Sequence, residues 1–384
     1  MSRQTAVLLG HSVLTQIITF LLRPATTYRA LEIDTPAAWL GVLSACFAIA
    51  PLILALPSGA VVDRIGEGNT AMIGGVLITA SAVVLALTGN SVIALAVGTC
   101  LLGVGHLGSV VAQQTLVANS TSQASKLDSA FGYYTFAASL GQAIGPAALV
   151  LFSRGGAVPE TQQIFITCSV AGLALLLLAA LLRRSEAGAH PADDETATGL
   201  GSLLRLPGLA QALLTSSVVL AAVDITLVYL PALGTQRDIN ASFIGILLTI
   251  RGLSSMTTRL FLGRLTGLFG RRNVLVGGTL AAAGALLAMA LPVPLWLAGM
   301  LMALAGLGLG VGQPITMSWL AASAPPGARG RAMSLRLVGN RAGQVVIPSA
   351  AGALAAGAGA SGVLGITGAG LLLIAVSARR LPVD

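Results

Sequence analysis

Charge is what this sequence has least of. Only 9% of its 384 residues are Asp, Glu, Lys or Arg, and a soluble domain of that size needs far more to cover its surface. Water is therefore not its main solvent. Cysteine is scarce too: Cys46, Cys100 and Cys168 lie far apart inside apolar segments. That spacing excludes a disulfide frame or a thiolate cluster and fits small buried side chains. No G-x-x-x-x-G-K-[ST] run occurs, so ATP is not the energy source. No Ser/His/Asp or metal-ligand constellation appears, and no cofactor is implied. Despite a net charge of +8, no basic stripe with interleaved aromatics is present, so nucleic acid is excluded as a partner. The first apolar run lacks a small-residue cleavage site and reads as a retained helix rather than a signal peptide.

What the sequence does have is long apolar runs. Hydrophobic residues make up 55% of it, and runs near twenty residues recur from end to end. Each is long enough to cross a hydrocarbon core as a helix. A β-barrel is excluded, because its strands would alternate in short segments. The 47 glycines fit close helix packing in lipid. The expected fold class is an all-α membrane protein with twelve transmembrane helices in two pseudo-symmetric six-helix halves. The expected helices are 5–22, 37–58, 70–88, 91–119, 129–152 and 162–182, then 207–232, 241–262, 273–291, 294–321, 331–354 and 361–378. The halves are 1–182 and 207–384, and the Pro, Gly and acid-rich stretch 183–206 is a cytoplasmic linker that holds a solvated His190.

Basic residues set the orientation. Arg3, Arg64, Lys126, Arg183, Arg184, Arg205, Arg264, Arg271, Arg272, Arg329, Arg331, Arg379 and Arg380 fall on one side, against Arg23, Arg29, Arg154 and Arg237 on the other. Positive charge stays cytoplasmic, so both termini are placed there, in a plasma (inner) membrane. An internal repeat supports the two halves. Gly41 to Gly59 and Gly245 to Gly263 span the same eighteen residues, 59–69 lines up with 263–273, and GQAIGP (141–146) lines up with GQVVIP (343–348). Duplicated six-helix halves are a transporter architecture with the site near mid-membrane.

Two motifs carry a resemblance. Gly59-Ala-Val-Val-Asp63-Arg64-Ile-Gly66 is placed in a tight loop after the second helix, where glycines permit a sharp turn and an acid can meet a helix N-terminus. It resembles the major facilitator signature G-x-x-x-D-R-x-G. In the second copy Gly267 stands where the acid would be, so any charge latch is one-sided. Gly132, Gly141, Gly145 and Pro146 match G-x₈-G-x₃-G-P, which resembles the motif of the twelve-helix drug:proton antiporters in that superfamily. Glycines one turn apart make a smooth face, and the proline frees a carbonyl and bends the helix. The family's next glycine pair is replaced by Leu149 and Val150, and Thr99 stands nearest to its usual fourth-helix arginine.

Ionisable residues inside apolar helices are costly and mark functional sites. Asp224 is the only acid placed within the hydrocarbon, and Arg251 lies at comparable depth in the next helix. With Arg341 they are the candidates for proton or substrate coupling; a permanent structural pair is the bland alternative. In the eleventh helix Arg336, Asn340 and Gln344 recur every fourth residue and form a polar stripe. Asn340 and Gln344 either line a cavity or bond between helices, and Arg336 is placed to reach the cytoplasmic surface. His106 and Gln113 share a face of the fourth helix; with Gln16, Gln142 and Gln313 they are further candidates for cavity lining.

The resemblance implies a secondary transporter, not an enzyme, that works as a monomer in the lipid bilayer by alternating access. It exports small amphipathic compounds in exchange for protons. An aromatic fraction of 4% argues against sugars, which stack on rings. The alternatives are uptake or exchange of a small anionic metabolite, for which the deep arginines speak, and a non-transporting sensor or scaffold.

Overall fold

The computed structural model describes residues 3–119, 124–184, 208–323 and 329–379. Among these residues every regular element is a helix: α1 Arg3–Glu32, α2 Ala37–Ile65, α3 Glu67–Thr88, α4 Val92–Ala118, α5 Ala124–Ala147, α6 Leu149–Phe152, α7 Thr161–Arg184, α8 Leu209–Gln236, α9 Ala241–Phe269, α10 Arg271–Met289, α11 Leu295–Ser323 and α12 Arg329–Ala378. Among the described residues, ten stretches are long and apolar enough to cross a membrane. Apolar side chains cover their outer faces as well: Leu87, Ile93 and Leu151 are 76–81% exposed. In water such a surface would aggregate; in lipid it is solvated.

Element and crossing do not map one to one. The expected helix 129–152 is broken at Ala148 into α5 and α6, just after Pro146, whose ring removes a backbone donor. The expected helices 331–354 and 361–378 run together in α12, bent at Gly359 (φ 62°). At the start of the chain, α1 continues well past residue 22, so Arg23 and Arg29 are helical rather than in a loop. Arg29 pins that extension: its side chain bonds Gly89 O at 3.2 Å, Asn90 Oδ1, and Glu32 at 2.9 Å, while Glu32 also accepts from Thr161 at 2.6 Å.

The expected tight loop at 59–66 is a correction of the same kind. α2 runs on through Asp63 and Arg64 to Ile65, and the turn is the single residue Gly66 at φ 87°, ψ 157°. The surroundings of Gly59 and the side chain of Asp63 lie outside the described residues, as does most of the linker 183–206. In the second copy α9 likewise runs to Phe269, and Gly270 turns at φ 77°, ψ 149°.

The repeat is therefore written in the backbone. Asp34 and Asp238 (both φ 53°), Gly66 and Gly270, and Gly155 and Gly359 are three left-handed pairs, each 204 residues apart. Behind the first pair the same bond closes the helix, Thr35 N to Ala30 O at 2.9 Å and Ile239 N to Gly234 O at 2.8 Å. At Gly66 and Gly270 a side chain would be strained by about 1–3 kcal/mol. Gly66→Val and Gly270→Val are each expected to lower the melting temperature of the detergent-solubilised protein. Gly263→Ala, where a Cβ meets nothing within 4 Å, is not.

Contacts group the chain into two compact units, one of Met1–Thr35, Cys46–Ala192 and Gly234–Thr249, the other of Pro36–Ala45, Asp193–Leu233 and Ile250–Asp384. In the first, α1 packs on α5 and α7, and α3 on α4 and α7. In the second, α10 packs on α11 and α12. Small residues set the spacing. A Cβ on Gly141 would stand 2.4 Å from Val13 O, and one on Gly145 2.9 Å from Ile17 O, so the pair does make the smooth face at which α1 and α5 meet. Gly74 against Ser109 N (2.7 Å) and Gly278 against Gly308 O (3.3 Å) repeat one approach in the two units.

Candidate functional site

Each unit holds a buried polar network built on glutamine. A carboxamide offers both donors and an acceptor, so it links partners of either kind inside an apolar bundle. In lipid such groups must be satisfied within the protein.

In the second unit the links run from α8 to α12. Asp224, 3% exposed, accepts a hydrogen bond from Gln344 Nε2 at 2.6 Å. Gln344 Oε1 in turn accepts from Arg341 Nη1 at 3.0 Å. An acid and a guanidinium are thus joined through one neutral amide. One turn earlier on α12, Asn340 donates to Gln313 Oε1 on α11 at 3.3 Å. Arg336 donates to the backbone carbonyl of Gln313 at 3.0 Å and to its side-chain oxygen. Instead of reaching for the cytoplasmic surface, Arg336 is turned onto α11, because the Gln313 carbonyl lies within its span. Gln313 then donates to Ser216 O on α8 at 2.6 Å, and Ser217 donates to Gly339 O at 2.9 Å. Two serines of α8 thus join the expected residues. Gly343 lets them approach: a Cβ there would stand 2.6 Å from Ser217 Cβ. Arg251 is buried in α9 of the same unit, 4% exposed.

In the first unit the links run between α1 and α4. Gln113 Nε2 meets His11 Nδ1 at 2.8 Å and donates to Thr15 Oγ1 at 3.2 Å. Nearby, His106 Nε2 meets Gln16 Oε1 at 3.4 Å. The two His–Gln pairs run in opposite senses, as antiparallel helices require. His106 also packs on Phe47 (ring centroids 5.5 Å apart), and the Arg23 guanidinium lies 4.5 Å above the same ring, a cation–π contact. His11 and Thr15 are fully buried and were missed from sequence; their signal is the spacing of four that places them on one face. Gln142 is half-buried on α5, next to Gly141.

Three groups of expected residues emerge. Asp224, Arg341, Gln344, Asn340 and Gln313 come together in one unit; Gln16, His106 and Gln113 come together in the other. Arg64 and Gly66 lie at the α2–α3 turn of the first unit, and the side chain of Asp63 lies outside the described residues. Among the described residues no group of three or more His, Cys, Asp or Glu is placed to hold a metal.

The profile of the Major Facilitator Superfamily matches residues 8–241 and 212–384. No curated protein matches the chain. Among solved structures it is similar to nucleoside transporter NupG, at 14% identity and TM-score 0.75, over 99% of each chain. A D-xylose-proton symporter is similar at 16% identity and TM-score 0.76, over 98% of this chain and 97% of that one. Peptide transporter POT in complex with sulfate is similar at 14% identity and TM-score 0.79, over 100% of this chain and 96% of that one. At such identities the likeness is one of fold.

Proposed function

Because the chain belongs to the Major Facilitator Superfamily, and is a multi-pass secondary transporter rather than an enzyme, we propose that protons drive it and that Asp224 carries them. The observation that supports this is the placement of Asp224. It is a carboxylate buried in a membrane span, held by an amide that a guanidinium holds in turn. A carboxylate there is costly unless it is neutralised, and a group that gains and loses a proton at mid-span is what coupling requires.

Arg251 and Arg341 are the partners that respond to its charge. Asn340, Gln344 and Gln313 line the path beside it, as do Gln16, Gln142, His106 and Gln113 in the first half. The joints are the α2–α3 turn at Gly59, Asp63, Arg64 and Gly66, and the break behind Gly141, Gly145 and Pro146. The halves 1–182 and 207–384, joined by 183–206, move as bodies, in a plasma membrane with both termini cytoplasmic. Export of amphipathic compounds rests on the resemblance of the fifth-helix motif alone, since the α1–α5 packing accounts for Gly141 and Gly145 by itself.

The test is flux in vesicles reconstituted with the pure protein under an imposed pH gradient, across cationic, neutral and carboxylate solutes. At least one solute is expected to move with the gradient and stop when a protonophore collapses it, with no need for ATP. Solute flux that ignores the protonophore for every member of the panel contradicts proton drive.

A further inference from the structure

We propose that Cys46 and Cys100 form a redox site on the lipid-facing side of the first unit, which a hydroperoxide dissolved in the membrane converts to a disulfide. The first observation is their contact. Far apart in sequence, the two free cysteines meet between α2 and α4, one thiol donating a hydrogen bond to the other. The backbone brings them there. A Cβ on Gly103, one turn after Cys100, would overlap the carbonyl of Phe47, the residue after Cys46, and stand 3.1 Å from its Cα. The spacing that speaks against a disulfide frame in the sequence is thus closed by the fold. The repeat shows that this approach needs no thiol. In the second unit Gly306 of α11 comes as close to α9, where its Cβ would stand 3.0 Å from the Arg251 carbonyl carbon. There Ile250 precedes Arg251, and Ala303 stands one turn before Gly306. Helix packing therefore does not account for the thiol pair.

The second observation is the face that the pair occupies. Both cysteines are half-buried. On α2 Cys46 lies between Val42 and Ile49, and on α4 Cys100 follows Ile93 and Val97; all four of these neighbours are exposed. One turn beyond Cys100, Val104 lines an apolar groove with Leu54, Val61, Ile73 and Leu77. Such a face meets hydrocarbon, so the oxidant that reaches it is one carried by lipid. One sulfur attacks the outer oxygen of the hydroperoxide, the O–O bond breaks, and the thiol proton leaves with the alcohol. The second thiol then displaces water from the resulting sulfenic acid and forms the S–S bond. Two thiols are oxidised to a disulfide, and the hydroperoxide is reduced to an alcohol and water. Contact with the second thiol sets the outcome, because capture of the sulfenic acid stops oxidation at a reversible stage. Cys168, buried on α7 of the same unit, is the internal control.

The test is thiol accounting on the full chain, reconstituted in vesicles of saturated phosphatidylcholine and treated with cumene hydroperoxide. Remaining thiols are alkylated with N-ethylmaleimide in denaturant and located by peptide mass spectrometry. Cys46 and Cys100 are expected to disappear together into one linked peptide pair. Cys168 is expected to stay a thiol, and dithiothreitol to restore the other two. Hydrogen peroxide at the same concentration, which favours the water phase, is expected to act more slowly. In Cys46→Ser the remaining Cys100 has no resolving partner and is expected to pass to the sulfinic acid, which dithiothreitol does not reverse. Full alkylation of Cys46 and Cys100 after treatment overturns the proposal, as does their oxidation with no link between them. Faster formation of the link by hydrogen peroxide than by cumene hydroperoxide overturns it too.

Discussion

Asp224→Asn is expected to abolish proton-driven accumulation or efflux in reconstituted vesicles while leaving exchange of solute down its own gradient. Asparagine keeps the size of the side chain and an oxygen for Gln344 Nε2, which lies 2.6 Å from Asp224 Oδ2. What it removes is the titrating proton. A purely structural acid gives a different result. Removing its charge then leaves a buried guanidinium uncompensated, at a cost of about 3–5 kcal/mol, and the loss appears as falling stability rather than as uncoupling. Melting temperature and exchange rate, measured on the same preparation, separate the two outcomes.

Gly41→Val is expected to have the largest effect on folding. A Cβ at Gly41 would stand 2.2 Å from Pro348 O and 2.7 Å from Gly352 Cα, both backbone atoms of α12 that no rotamer change can move. Overpacking against side chains costs about 1–3 kcal/mol, and here the helix itself must shift. The repeat places the same device at Gly245, whose Cβ would stand 2.7 Å from Pro146 O. Gly41→Val is therefore expected to give little monodisperse protein after solubilisation, and Gly245→Val a reduced yield. Gly277→Ala, with nothing within 4 Å, is expected to behave as wild type.

The helices and the repeat were legible in the sequence because lipid leaves a spanning chain little choice. A run that crosses hydrocarbon must be apolar and helical, so length and composition suffice. The glycines aligned at 66 and 270 proved to be the same left-handed turn. What was hidden is where a helix stops. The stretch 59–66 holds Gly, Asp and Arg at a membrane end and looks like a loop, yet α2 continues until one positive φ breaks it. The extension of α1 was hidden for a related reason: the groups that hold it, Gly89, Asn90 and Thr161, are distant in sequence.

The candidate site was legible by residue type and not by partner. Asp224 stood out because a lone acid in an apolar run is rare, and the stripe of Asn340 and Gln344 stood out by its spacing. That Gln344 would stand between Asp224 and Arg341 depends on how α8 and α12 meet, which spacing within one helix does not encode. His11 escaped because it sits near the start of α1, where a polar residue looks like a surface residue. It is instead fully buried against Gln113 of α4.

The most direct test of the central claim, that Asp224 carries the coupling proton, is the double variant Asp224→Asn with Arg251→Gln, which removes both charges of the expected pair. Its melting temperature and its proton-driven transport are measured together against wild type. The account predicts wild-type stability with no pH-gradient-driven accumulation, because balancing the charge does not restore a titrating group. Wild-type stability together with wild-type gradient-driven transport contradicts it, and makes Asp224 a structural partner of Arg251.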